Sequence, residues 1–246
     1  NNMGRIIAVA NQKGGVGKTT TSINLAACLA EKGKKVLAVD MDPQGNLTSG
    51  LGVDKDSVEK SIYELIIGEV DINEVINKEV LENLDIIPTS IDLSAAEIEL
   101  IGVDDQVKDQ YDFVIIDCPP SLSMLTINAM TTADSVIVPI QCEYYALEGL
   151  SQLIHTVELV KDRLNSKLEI EGVVFTMYDA RTNLSLQVVE NVKDNLQQNI
   201  YKTIIPRNIR LAEAPSYGLP INKYDPKSTG AESYMRLADE VIEREE

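Results

Sequence analysis

Short apolar runs alternate along the chain with longer stretches whose apolar residues recur at helical spacing. The runs are rich in Ile and Val and show little alternation with polar residues, which is typical of parallel strands buried on both faces. We therefore predict strands over residues 6–10, 36–39, 84–88, 113–116, 136–140 and 173–177, and a shorter one over 203–205. Helices are predicted over residues 18–32, 122–132, 147–164 and 184–198, and from about 229 to the end.

The alternation of strands and helices predicts one α/β domain over residues 3–246, with a mostly parallel, twisted β-sheet flanked by helices on both faces. Asn1 and Asn2 precede Met3, which we interpret as the initiator, and we interpret the two asparagines as an added remnant. Because the first strand follows at once, we expect no secretory or transit segment. Ligands of such sheets bind at the carboxyl ends of the strands.

Charge and cysteine content restrict the class of protein. The formal net charge is −17 and the pI is about 4.5, which argues against a general nucleic-acid coat protein because phosphate binding depends on Lys and Arg. A local basic patch is not excluded. Cys28, Cys118 and Cys142 match no zinc or disulfide pattern. We therefore expect the protein to lie in the reducing environment of the cytoplasm. No apolar run approaches the roughly 18 residues of a membrane span.

A glycine-rich loop follows the first predicted strand and precedes the first predicted helix. Its glycines let backbone N–H groups converge on an anion, and the helix adds its N-terminal dipole. This pattern predicts a nucleotide phosphate site in which Lys18 reaches the β- and γ-phosphates and the Thr19 hydroxyl ligates Mg²⁺. The alternative is a glycine-rich turn without a ligand. The predicted binding residues are Lys13, Gly14, Gly15, Val16, Gly17, Lys18, Thr19 and Thr20.

The loop departs from the usual phosphate-loop pattern at its start. Gln12 stands where the first glycine usually lies, and a second lysine, Lys13, follows it. Because Lys13 cannot easily duplicate Lys18 in one cradle, we predict that it projects across an interface onto a partner's nucleotide, as an arginine finger does in trans. The alternative is a solvated loop lysine.

Three aspartates follow predicted strands at the same edge of the sheet. Asp117 ends the run 113–116 and is placed to hold Mg²⁺ through water. Asp42 is predicted to orient or deprotonate the attacking water; the alternative is a turn opened by Asp42 and Pro43. Asp40 is interpreted as supporting Asp42.

Several ordered segments resemble the ParA/Soj chromosome- and plasmid-partition ATPases, and the likeness covers nearly the whole chain. Besides the loop with its extra lysine, they are Asp-Met-Asp-Pro-Gln-Gly-Asn at 40–46 and Asp-Cys-Pro-Pro-Ser at 117–121. Further matches lie at 141–150, 179–183 and 205–211. The chain is thus identified as a member of the deviant Walker A group of P-loop proteins.

This resemblance implies an ATPase that binds ATP or ADP with Mg²⁺ and forms a sandwich dimer when ATP is bound. The dimer would bind double-stranded DNA without sequence preference, and a ParB-type centromere-binding protein would stimulate hydrolysis. Pro206 and Asn208 match the segment that holds adenine, and Arg181 and Arg210 match arginines that contact DNA. The implied location is the cytoplasm, associated with the nucleoid.

One stretch departs from the family. Relatives carry a longer and usually basic segment between residues 95–100 and Tyr111, where only residues 101–110 lie here. Either the segment has been deleted or the sequence as read omits it. Omission is the preferred interpretation because both flanks match well, and it would make the true charge less negative than −17.

Other functions remain alternatives. A membrane-positioning ATPase resembling MinD needs a basic amphipathic terminal helix, whereas this chain ends in Glu-Arg-Glu-Glu. An iron–sulfur reductase resembling the nitrogenase iron protein needs suitably placed cysteines. A third alternative is a regulator that acts through protein contacts without DNA binding, which is consistent with the strongly negative net charge of the chain. His155 is interpreted as a surface residue, and for Tyr144 and Tyr145 a core position is preferred over an interface.

Overall fold

The computed structural model describes residues 4–11, 16–58, 60–66, 70–90 and 108–245, and its strands form a single sheet. The strands are β1 (Arg5–Val9), β2 (Val36–Asp40), β3 (Asn77–Leu81), β4 (Leu84–Ile87), β5 (Phe113–Asp117), β6 (Ser135–Gln141) and β7 (Glu169–Thr176). Their order across the sheet is β3-β4-β2-β5-β1-β6-β7. Neighbouring strands are parallel except β3 and β4. The predicted α/β fold is therefore confirmed.

Long helices connect the parallel strands, as predicted. The helices of the described residues are α1 (Val16–Glu31), α2 (Asn46–Gly50), α3 (Ile62–Ile66), α4 (Ile72–Val75), α5 (Met124–Thr132), α6 (Ala146–Arg163), α7 (Asn183–Asn195), α8 (Ile209–Glu213), α9 (Ile221–Tyr224) and α10 (Thr229–Glu245). The short helices and β3 were not predicted, because four or five residues are too few to show a periodic pattern.

Side chains of β1 alternate between two apolar layers, one on each face of the sheet. Ile6 and Ala8 lie in the layer that includes residues of α5, α6 and α7, whereas Ile7 and Val9 lie with residues of α1 and α10. Successive residues of a strand point to opposite faces, so an uninterrupted apolar run supplies both layers. This is why the buried strands were recognisable from sequence.

The carboxyl ends of β1, β5 and β2 lie side by side in the middle of the sheet. Val9 is the ladder partner of Asp117, and Asp40 is the partner of Asp117 on the other side. The loops that leave β1, β2 and β5 therefore start from one edge, where the sequence predicts the functional residues.

The predicted strand over residues 203–205 is wrong. The chain runs beside β7 with isolated bridges at Ile200 and Pro206, and Ile205 N–H donates to the Phe175 carbonyl. Between these contacts, backbone N–H groups donate to a side chain and not to β7. The Lys202 and Thr203 N–H groups donate to the Glu240 carboxylate of α10 at 3.0 and 2.6 Å.

We predict that Glu240→Ala lowers the free energy of unfolding. The change leaves the buried Thr203 N–H and hydroxyl without their acceptor, which costs about 1–3 kcal/mol. Chemical denaturation measures the loss, with Glu232→Ala on the exposed side of α10 as the control. Equal stability of the two variants would contradict the role of Glu240.

Candidate functional site

The described part of the predicted phosphate loop begins at the first turn of α1. Lys13, Gly14 and Gly15 lie outside the described residues, and Val16 is the first residue of the helix. A Cβ atom on Gly17 would lie 2.7 Å from Thr176 Oγ1 at the end of β7. Glycine therefore lets the start of α1 approach the carboxyl edge of the sheet closely. Thr20 is buried one turn further on.

Lys18 and Asp117 form a buried ion pair. The Lys18 ammonium donates to Asp117 Oδ1 at 2.6 Å, and the two side chains are 2% and 0% exposed. Burial by itself lowers the pKa of Lys18, but the charge of Asp117 and the hydrogen bond to it outweigh burial, and the pKa is raised. The lysine is therefore a buried cation beside the predicted phosphate position.

Two hydroxyl groups of α1 also donate to Asp117. Thr19 Oγ1 lies 3.2 Å from Asp117 Oδ2, and Ser22 Oγ lies 2.7 Å from Oδ1. The Lys18 ammonium is 3.2 Å from the Thr19 hydroxyl. The Thr19 hydroxyl and the Asp117 carboxylate supply oxygen atoms of the kind that Mg²⁺ prefers as ligands. Thr19 and Asp117 thus fit the metal role predicted for them.

Asp40 holds the loop that carries Asp42. The fully buried Asp40 carboxylate accepts the Asp42 N–H at 3.1 Å and the Thr48 N–H and hydroxyl at 2.9 and 2.6 Å. Burial, followed by the charge of Asp117, raises the pKa of Asp40 to about 7. Asp40 therefore fixes both ends of the loop from β2 to α2.

Asp42 lies in a turn and also beside the site. Its carboxylate accepts the Gln44 N–H at 3.0 Å, as a turn residue does. The side chain is 4% exposed, and burial raises its pKa despite the charge of Lys18. A raised pKa favours proton acceptance in a general base. Asp42 therefore occupies the turn that the alternative describes, and its action on the attacking water stays a prediction.

A cavity of about 310 Å³ adjoins the start of α1. Pro206 and Asn208 line it, together with Gly17, Thr20, Ile205 and Tyr234. Asn208 Oδ1 accepts the Arg210 N–H at 2.9 Å and caps α8, while Nδ2 donates to Thr229 Oγ1 at 2.6 Å. The predicted adenine segment therefore lines a partly open, largely apolar space beside the start of α1.

The two predicted DNA-contact segments are adjacent. Tyr178 and Pro206 form a parallel bridge, and the Arg207 N–H donates to the Tyr178 carbonyl at 2.9 Å. Arg181 and Arg207 are exposed on the loops that follow this contact, and Arg210 is exposed in the first turn of α8. The bridge thus brings the segments that carry these arginines together just beyond the carboxyl end of β7.

Some features were missed or misjudged from sequence. Ser22 and Thr48, which bind the two buried carboxylates, carry no signal beyond being hydroxyl residues near a motif. The core interpretation of Tyr144 and Tyr145 is wrong, because these side chains are 81% and 65% exposed. Cys28 and Cys118 are buried, Cys142 is half-buried, and His155 is exposed, as its surface interpretation predicts.

Comparisons with known proteins show relatives along nearly the whole chain. A family model described as an AAA domain matches residues 4–170. The chain is 58% identical to the sporulation initiation inhibitor protein Soj of Bacillus subtilis, over 97% of the chain and 98% of that protein. It is 50% identical to the chromosome partitioning protein ParA of Myxococcus xanthus, over 99% and 89%. The septum site-determining protein MinD of Pyrococcus horikoshii, solved with Mg-ADP, superposes with a TM-score of 0.85 at 32% identity, over 97% and 96%.

We predict that Lys18→Met destabilises the ligand-free protein by about 3–5 kcal/mol, because it leaves the buried Asp117 carboxylate without its cation. Adding Asp117→Asn removes the uncompensated charge and restores much of this loss. Urea unfolding in the presence of a chelator measures both variants. A double variant no more stable than Lys18→Met would contradict the pairing.

Proposed function

The chain belongs to the family of Soj and ParA chromosome-partitioning proteins, and from this premise we propose that it is a Mg-ATP-hydrolysing partition ATPase. The observation that carries the proposal is the convergence of Lys18, Thr19 and Asp117 at the carboxyl edge of β1 and β5. A cation, a hydroxyl and a carboxylate at the start of a glycine-led helix form a site for phosphates and a metal ion.

Each residue of this site is proposed to have its own part in ATP binding. Lys18 would exchange its contact with Asp117 for the β- and γ-phosphate oxygens, and the N–H groups of the loop over residues 13–20 would surround the phosphates. Thr19 directly, and Asp117 through water, would hold Mg²⁺, whose charge stabilises the negative charge that develops during phosphoryl transfer. The base would enter the cavity beside Pro206 and Asn208.

Asp42 is proposed to act on the attacking water. Its buried carboxylate has a raised pKa and lies in the field of Lys18 and Asp117, which suits acceptance or orientation of a proton. Asp40 would keep the carboxylate in place through the Asp42 N–H. Lys13 is proposed to complete the site of a second copy, as the family resemblance implies.

Three exposed large apolar side chains on loops and helix ends that follow strands of the same edge support ATP-driven dimerisation. Met124, Tyr144 and Tyr145 are 61%, 81% and 65% exposed and follow the carboxyl ends of β5 and β6, the strands on either side of β1. Exposed large apolar side chains grouped near a site mark an interaction surface. A second copy covering this edge would bring its Lys13 toward the nucleotide.

DNA and a ParB-type protein are the proposed partners, at the nucleoid in the cytoplasm. The gathering of Arg181, Arg207 and Arg210 supports DNA binding in spite of the net charge of −17. Dimerisation would double this basic surface and make binding depend on ATP and salt.

The rival functions have less support. α10 buries Tyr234, Leu237 and Val241 in the layer that contains α1, so its apolar face is not available to a lipid surface. None of the helices in the described part of the chain has the length and apolar content needed to span a bilayer. A regulator without DNA binding would still use the nucleotide site but would leave the arginine surface unexplained.

We predict that Asp42→Ala keeps ATP bound but lowers turnover by about a hundredfold or more, so that the ATP-bound dimer accumulates. Equilibrium nucleotide binding, phosphate release and light scattering measure the three properties. Asp56→Ala, an exposed change downstream of the same loop, serves as the control. Unchanged turnover in Asp42→Ala would leave Asp42 with the turn role alone.

A further inference from the structure

Two of the three arginines proposed to contact DNA, Arg181 and Arg210, are already paired with acidic side chains. Arg181 Nε and Nη2 each lie 3.0 Å from one carboxylate oxygen of Asp179. Arg210 Nη1 lies 3.1 Å from Glu213, and its Nε lies 3.4 Å from Asp225. Neither guanidinium group therefore meets a phosphate as an uncompensated cation.

The Asp179 pair is built into a turn. Asp179 Oδ1 accepts the Arg181 N–H at 3.0 Å as well as the guanidinium, so the backbone keeps the two side chains together. The hydrogen bonds from Arg181, with a smaller contribution from the charge of Arg207, lower the pKa of Asp179 to about 2. The carboxylate is thus ionised near neutral pH and lies in the field of two arginines.

The Arg210 pair has a similar arrangement. Glu213 lies one turn along α8 from Arg210 and also accepts the Tyr224 hydroxyl at 2.6 Å. Asp225 approaches the guanidinium from the end of α9. Tyr224 therefore holds the Glu213 carboxylate beside Arg210.

We propose that Asp179, Glu213 and Asp225 compete with DNA phosphates for Arg181 and Arg210, and so set the affinity and salt dependence of DNA binding. This inference rests on the proposed DNA binding at the same edge. The Arg181 side chain is 86% exposed and Arg210 is 51% exposed. Exposed ion pairs contribute little stability, so phosphates can displace these carboxylates.

The competition has a consequence for the monomer. A monomer with a net charge of −17 and internally paired arginines gains little from DNA, because each phosphate contact first breaks an ion pair. A dimer holds two copies on one duplex, so that once one copy is bound the other binds at a high effective concentration, and the small gains of the two copies combine. The acidic partners would therefore make DNA binding depend on dimerisation and hence on ATP.

Asp179→Asn tests the proposal with little change to the fold. Asparagine keeps the oxygen that accepts the Arg181 N–H but removes the charge. Glu169→Gln is the matched control: it makes the same change of net charge at the exposed amino end of β7, roughly 23 Å away along the strand and beyond the Debye length of about 10 Å. Glu213→Gln tests the second pair and keeps an acceptor for the Tyr224 hydroxyl.

Fluorescence anisotropy with a random-sequence duplex, ATP and Mg²⁺ over a series of salt concentrations gives affinity and salt slope. We expect Asp179→Asn and Glu213→Gln each to raise DNA affinity about threefold to tenfold at low salt, from the removal of one charge next to a phosphate. The log–log salt slope should steepen by up to about 0.9 for each uncovered arginine. Glu169→Gln should match wild type, and Arg181→Glu should lose binding. Nucleotide binding by each variant verifies its fold.

The outcomes separate this inference from the proposed function. If wild type binds DNA and neither Asp179→Asn nor Glu213→Gln binds more tightly, the competition is refuted while the proposed DNA binding stands. An equal gain in Glu169→Gln would assign the effect to net charge and would also refute it. If wild type and all variants fail to bind DNA with ATP, the proposed DNA binding itself fails, and this inference fails with it.

Discussion

A buried ion pair between Lys18 and Asp117 joins the start of α1 to the end of β5, and the candidate site is arranged around it. Two charges with almost no exposure are tolerated only when they are paired and hydrogen-bonded. The structure meets this condition, because Lys18 donates to Asp117 Oδ1 at 2.6 Å at the point where Asp117 ends β5 beside β1. Thr19 and Ser22 supply the remaining donors to the carboxylate.

The charge of Asp117 also acts on the neighbouring strand. Asp40 is its ladder partner on β2, and the proximity of the two carboxyl groups contributes to the raised pKa of Asp40. Asp40 in turn fixes the Asp42 loop through hydrogen bonds at both ends. The start of α1, which carries Lys18, and the loop that carries Asp42 therefore share one cluster of carboxyl groups. A ligand that draws Lys18 away from Asp117 would change the field at both aspartates.

Sequence reasoning succeeded where a residue's position follows from local pattern. The buried strands were predictable because central parallel strands are apolar on both faces, and Asp40 and Asp117 could be placed at strand ends for that reason. The segment over residues 203–205 failed because a distant carboxylate, Glu240, binds its backbone in place of a ladder partner. No local pattern shows such a contact.

The ion pairs of the arginines were also not predicted, because they too depend on contacts that no local pattern shows. Asp179 and Arg181 are visible in the sequence, but the paired geometry depends on a turn and on side-chain conformations. The exposure of Tyr144 and Tyr145 was misjudged because tyrosine occurs both in cores and at interfaces.

The central claim is that Lys18, Thr19 and Asp117 form a site for a magnesium-bound nucleotide. Equilibrium dialysis of the wild-type protein with ATP, in the presence of Mg²⁺ or of a chelator, tests it most directly, with AMP as the competing ligand. The account predicts saturable binding of one ATP per chain, tightened by Mg²⁺ and not displaced by equimolar AMP, because the contacts are made to the β- and γ-phosphates. Absence of saturable ATP binding, or binding that is insensitive to Mg²⁺ and equally strong for AMP, would contradict it.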